Sequence, residues 1–343
     1  MNQTALLNGT ERNETGNPSS SPSLLSVNIY LLWAIYVFLL VSGNLLNLMV
    51  IYVMFRSRKI RSSISSFLIF HLSLTHVIFH IVVPLLRIPG SDHCEVIQVL
   101  ELASASAIFG SLVAIAWDRN RNVFQPFKSL APRRVKTFLI LVTCIWIYAF
   151  ITSTPFIINI NIESRKICWR ENNGTTCRKY TVCQLTEGWK AQLSKTLLFI
   201  MSFVAPFMYM LITYTKIALS LRKRSQRGQI HSAVAKYKAK SIRLMVIAVL
   251  VFAVCWGLNF MVGLLAVHGF LNGLSPEGDI YLSFWCLVAQ VSSSCLNPVV
   301  YAFFSPEFRA SCVKYCCCCC SSCPCCRHRY RYIVNRVQPL LRH

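Results

Sequence analysis

Apolar residues gather into seven blocks separated by short polar segments, roughly 27–55, 66–86, 96–117, 137–160, 193–215, 242–267 and 280–304. Each is about 20 residues or longer, enough for a helix to cross about 30 Å of hydrocarbon. The pattern predicts an all-α membrane protein, a seven-transmembrane helix bundle. After the last block, Ser305–Tyr315 sets Phe308 and Val313 among Arg309 and Lys314. That spacing predicts a short amphipathic helix lying along the membrane surface. No internal repeat is visible, which counts against inverted-repeat transporters. Three parts are expected: a polar tail over 1–26 with Pro18 and Pro22, a membrane domain over 27–310, and a Cys-rich basic tail over 311–343.

Composition agrees. Of 343 residues, 55% are hydrophobic and only 14% charged, against about a quarter charged in soluble domains. The first residues lack the basic start and short apolar core of a cleavable signal, so the first block is expected to direct its own insertion. With the N-terminus outside, the inner segments hold 26 of the 35 Lys/Arg and only two acids, Asp118 and Glu307. Nearly the whole net charge of +23 then lies on one side, as the positive-inside rule requires. No soluble basic domain exists to bind nucleic acid, and the lipid bilayer takes that place as partner. Four glycosylation sequons, at Asn2, Asn8, Asn13 and Asn173, all fall outside in this topology. The expected location is the plasma membrane, with multiple passes.

Polar and special residues inside the blocks carry the chemistry. Asn44, beside Gly43, is expected to hydrogen-bond a neighbouring helix. His76 and His80 share a helix face, with His71 nearby. They read either as a proton or metal sensor or as hydrogen-bonding residues facing the bundle; no acid accompanies them, and no metal site is assigned. Glu101 interrupts the third block, which ends in Asp118-Arg119; charge at membrane depth signals function. Pro84 and Pro155 mark kinks near helix ends, and the fifth block carries Pro206. The segment Asn161–Gln192 reads as a long polar loop containing Cys168, Cys177 and Cys183. Cys144, Cys255, Cys286 and Cys295 read as small packing residues. The run Cys316, Cys317, Cys318, Cys319 and Cys320 lacks ligand spacing for zinc. Thiols beside basic residues after the last span suit palmitoylation.

The ordered set Gly43-Asn44, Cys94, Asp118-Arg119, Pro126-Phe127, Trp146, Pro206, Tyr214, Phe252, Cys255-Trp256, Asn297-Pro298, Tyr301 and Phe308 resembles the rhodopsin-like family of G protein-coupled receptors. The resemblance implies a receptor that binds an extracellular ligand and activates a heterotrimeric G protein. Arg119 would be held by Asp118 at rest and turn toward Tyr214 and Tyr301 on activation. Phe127 would dock into the G protein, and Asn297-Pro298 would serve the same switch. Trp256, Asn259, Phe260, Glu101 and Arg87 would line or rim the ligand pocket. Glu101 either meets the ligand or pairs with a receptor cation such as Arg87. The family disulfide would join Cys94 to Cys183, with Cys177 as the other choice; Cys168 and Cys177 would then remain to close a small loop.

Departures from the family pattern are informative. His76 stands where an aspartate is usual, Ile108 replaces a serine and Ser293 an asparagine, so the usual sodium site lacks its oxygens. Gly257-Leu258 replaces the proline after Trp256. Val291 stands where an opsin has its retinal-binding lysine, and no cofactor is expected. No catalytic triad or metal-hydrolase spacing appears, so the chain is not read as an enzyme. Ligand chemistry leans toward peptides or chemoattractants. The alternative is a scavenger or accessory receptor that binds ligand without signalling.

Overall fold

The computed structural model describes residues 24–57, 64–85, 94–125, 134–157, 160–171, 174–185, 188–228, 232–274, 276–304, 308 and 311–312. Seven long helices follow in order: α1 (Leu24–Arg56), α2 (Ile64–Leu85), α3 (Cys94–Phe124), α4 (Arg134–Ile157), α5 (Trp189–Gln226), α6 (Ser232–Val267) and α7 (Pro276–Phe304). Six are long and apolar enough to cross a membrane. The seventh, α7, has the length but carries Gln290, Ser293, Ser294 and Asn297, all buried. Its polar groups face protein, where they find partners, so the bundle closes with seven helices.

The long polar loop is corrected by the structure. Between α4 and α5 the chain forms an antiparallel hairpin, β1 (Ile160–Glu171) with β2 (Gly174–Leu185). Polar residues hid it, because neither strand has a purely apolar face. We call its side of the bundle the hairpin end; the α5–α6 connection marks the far end.

Burial separates inner helices from outer ones. The apolar windows of α2 and α3 are each 61% buried, and that of α4 only 17%. Leu139, Ile140, Ile147 and Ile151 of α4 and Leu31, Phe38 and Leu45 of α1 lie exposed, the faces such helices turn to lipid. α3 packs on α2, α4 and α5.

Small and polar residues set the close approaches. A Cβ at Gly43 would lie 2.6 Å from Ser294 Oγ and 2.8 Å from His80 Cε1, so only glycine lets α1, α2 and α7 meet there. One turn on, Asn47 Nδ2 donates to Gly43 O at 2.8 Å and Ser294 O at 3.2 Å. The expected bond from Asn44 is therefore made by Asn47, which is fully buried, while Asn44 Oδ1 makes none.

A second knot joins α2, α3 and α4. Trp146 Nε1 donates to His71 Nε2 at 2.9 Å, and indole N–H can only donate. His71 therefore carries its proton on Nδ1 and donates to Ser111 Oγ at 2.9 Å. Ser111 in turn donates to Ala107 O at 2.7 Å. Every polar atom in the chain is used, so His71 is a hydrogen-bonding core residue.

In α5, a π turn at Ile200–Val204 precedes Pro206. Proline lacks an N–H and crowds the carbonyl four residues back; the wider turn absorbs both. It carries Ser202 to Ser106 Oγ of α3 at 2.9 Å. At the far end Phe308 is 1% exposed and belongs to the core. Ser311 Oγ donates to Ser57 Oγ at 3.3 Å, so the chain after α7 returns to the end of α1.

Candidate functional site

A narrow cavity lies among α2, α3, α5, α6 and α7, lined by Phe79, Glu101, Lys195, Trp256, Asn259 and Gln290 among others. Two opposite charges line it. Glu101 of α3 acts electrostatically on the Lys195 ammonium of α5. Lys195 Nζ lies 3.7 Å from the position a Cβ would take at Gly263 of α6. Thus the ammonium of α5 feels the acid of α3 and lies beside α6, where glycine at 263 leaves room for it. Lys195 went unread because a single lysine between Leu193 and Phe199 gives no local pattern. Only folding sets it against Glu101.

Trp256 forms the cavity floor at 1% exposure. Its ring centroid lies 5.2 Å from Phe79, 5.6 Å from Phe109, 5.8 Å from Phe252 and 6.4 Å from Phe260, all within aromatic pairing range. Its Nε1 donates to Ser293 Oγ at 2.8 Å. Phe203, placed by the π turn, stacks on Phe260 at 5.5 Å and meets Phe109 edge-on at 5.7 Å. A Cβ at Gly257 would come within 2.9 Å of Phe203 Cζ. The glycine after Trp256 therefore has a packing role where the family proline is missing.

Below this cluster, His76 and Asn297 join α2 to α7, with Asn297 Nδ2 donating to His76 Nε2 at 2.7 Å. Among the described residues no cluster of three His, Cys, Asp or Glu could hold a metal. His76 offers a nitrogen already engaged, Ile108 is buried and apolar, and Ser293 holds the tryptophan. These residues do not fit sodium, which wants several oxygens. Replacing sodium chloride by N-methylglucamine chloride is expected to leave agonist affinity unchanged; a shift of threefold or more would contradict the reading.

At the far end Asp118 is buried and accepts a hydrogen bond from Asn122 Nδ2 at 3.1 Å. Arg119 acts electrostatically on the buried Tyr214 hydroxyl of α5, and its Nε makes no hydrogen bond. The next helical turns are tied by Arg224 Nη1, which donates to Val123 O at 3.2 Å. The structure thus brings together Arg119 and Tyr214, Asn297 and His76, and Glu101 with Trp256, Asn259 and Phe260. Pro298 lies inside α7 and is buried; Tyr301 lies on α7. Cys94 opens α3, and Cys177 and Cys183 lie on β2. Arg87, Phe127, Asn2, Asn8, Asn13, Asn173 and Cys316 to Cys320 lie outside the described residues. Cys144, Cys255, Cys286 and Cys295 are free thiols.

The profile of the 7 transmembrane receptor (rhodopsin family) matches residues 46–301. The chain is 27% identical to the allatostatin-A receptor of Bombyx mori, over 66% of this chain and 61% of that protein. It is 28% identical to neuropeptide FF receptor 2 of Rattus norvegicus, over 77% of this chain and 67% of that protein. To the RYamide receptor of Tribolium castaneum it is 25% identical, over 87% of this chain and 86% of that protein. The match thus spans less than two thirds of the length of the silkworm receptor.

Proposed function

This chain belongs to the rhodopsin family of seven-transmembrane receptors, and on that premise we propose that it is a G protein-coupled receptor for a peptide, with the hairpin end outside the cell. One observation carries this: Trp256 floors the Glu101–Lys195 cavity and packs on Phe252, while at the far end Arg119 acts on the buried Tyr214. Relatives named for neuropeptides support the ligand class. The cavity takes the peptide's end, and its charged pair reads the peptide's polar groups. Movement of Trp256 shifts α6 against α3. The far end then opens, with Arg119 and Tyr214 exchanging neighbours as Phe127 meets a heterotrimeric G protein. A guanidinium with alternative acceptors is the kind of two-state element such a switch needs. In this orientation Asn2, Asn8, Asn13 and Asn173 are open to glycosylation, and Cys316 to Cys320 face the inner leaflet for palmitoylation.

The test is nucleotide exchange on a heterotrimeric G protein in membranes holding the full chain, with and without a pool of synthetic neuropeptides. Wild type is expected to exceed untransfected membranes by tenfold or more under one of these conditions, and Arg119→Ala to fall to background. If wild type stays at background while labelled peptide is bound and internalised, the scavenger reading replaces this one.

A further inference from the structure

The hairpin register places Cys168 directly opposite Cys177. We propose that these two form a disulfide, a second covalent link besides one from β2 to α3. The inference rests on the reading that the hairpin lies outside, where thiols meet an oxidising compartment.

Distance permits it. Directly opposed residues on antiparallel strands have Cα atoms about 4.5–5.5 Å apart, and disulfides span Cα separations of about 4.4–6.8 Å. Directly paired positions also project to the same side of the hairpin. The register therefore meets both conditions without any backbone movement.

The strands need the link. Side chains alternate, so one face carries Lys166, Cys168 and Arg170 opposite Lys179, Cys177 and Thr175. The other face mixes charge with apolar residues: Glu163, Arg165, Ile167, Trp169 and Glu171 stand opposite Val182, Tyr180, Arg178, Thr176 and Gly174 in that order. Neither face is apolar, and register is weakly specified when both faces are polar. Lys166 stands directly opposite Lys179, a like-charge pair that disfavours this pairing. A slip by one residue would separate the two lysines. A covalent bond at 168–177, two positions away, holds them opposed. It thereby fixes an acid-free cationic face of Lys166, Lys179 and Arg170.

The same register assigns the remaining thiols. Cys183 lies six residues after Cys177, at the end of β2 nearer α5, and β2 contacts α3. Six residues of strand span about 20 Å, so the single thiol at Cys94 cannot serve both. With Cys177 bonded to Cys168, Cys183 stays available for the link to Cys94 that the family resemblance implies.

The chemistry is thiol–disulfide exchange with an oxidoreductase of the secretory pathway. The Cys168 thiolate attacks the enzyme's disulfide and expels one enzyme thiolate. The Cys177 thiolate then attacks the mixed disulfide, forms the 168–177 bond and expels the second. Two electrons pass to the enzyme, which leaves as the dithiol, and each cysteine gives up one proton.

Non-reducing peptide mapping of the full receptor, purified from membranes with free thiols alkylated, tests this. Cleavage after Lys166, Arg170 and Arg178 leaves Cys168 and Cys177 on separate peptides. Enzymatic deglycosylation marks Asn173, on the Cys177 peptide, as aspartate wherever it carried a glycan. The expected product is the two peptides joined, with Asn173 converted. Cys177 joined to Cys94, or alkylated beside a converted Asn173, overturns the pairing while leaving the orientation standing. Both cysteines alkylated with Asn173 unconverted overturns the orientation and the disulfide together. Surface expression gives a second readout. Cys177→Ser strands Cys168 to compete for Cys94 and is expected to cut it at least threefold. The Cys168→Ser, Cys177→Ser double is expected to recover most of that. A double variant as impaired as the single would count against the pairing.

Discussion

Reversing the charged pair, with Glu101→Lys and Lys195→Glu together, is expected to restore roughly half of the thermal stability that either neutral substitution removes. Glu101 and Lys195 face each other across the cavity, and the ammonium sits against Gly263 on α6. Removing one partner of a buried pair costs about 3–5 kcal/mol, because the other charge stays desolvated. Both side chains are only half-buried, so water in the cavity screens them and about 2 kcal/mol is expected for Glu101→Gln or Lys195→Gln. Ligand-free unfolding in lipid nanodiscs reads this directly. The reversed pair keeps attraction but places the longer side chain on α3, so recovery of roughly half is the expected size. Losses that simply add in the double variant would show that the two residues do not act as a pair. Peptide activation gives a separate outcome. A ligand that recognises one charge should not be rescued by reversal, because the sign presented by α3 has changed.

Trp256 is the second large effect. Trp256→Ala empties a site enclosed by Phe79, Phe109, Phe252 and Phe260 and removes the N–H that the Ser293 hydroxyl accepts. Large-to-small changes of this kind cost about 3–5 kcal/mol, and surface expression is expected to drop severely. Trp256→Phe separates folding from signalling. It keeps the ring contacts and loses the 2.8 Å bond to Ser293, about 1 kcal/mol. Ser293 still donates to Gln290 O at 2.6 Å, so α7 keeps its local bond. Expression near wild type with at least tenfold weaker G protein activation is the expected result. Unchanged activation would remove Trp256 from the signalling path and leave it a packing residue.

Particular residues show how far reading the chain went. Glu101 and Arg119 stood out because charge at membrane depth is costly, and both lie where chemistry was expected. A cation for Glu101 is readable at Arg87, in the preceding connection, which lies outside the described residues; the cavity adds Lys195, 94 residues after Glu101. Asn44 was read as the polar cross-link, yet Asn47 makes it. One helical turn decides which asparagine faces α7, and hydropathy cannot resolve that. His71 was readable as a bundle-facing histidine, while its tautomer needed Trp146 and Ser111 in place.

The chain by itself determined the seven spans, the charge asymmetry across them and the motifs of the rhodopsin family. These follow from local quantities, the length and apolarity of each block and the cost of charge in lipid. Tertiary structure alone decided the hairpin register, the Glu101–Lys195 pair and the π turn that aims Phe203 at Trp256's neighbours. Those depend on which polar groups meet after the helices pack, and partners distant in sequence leave no periodic signal.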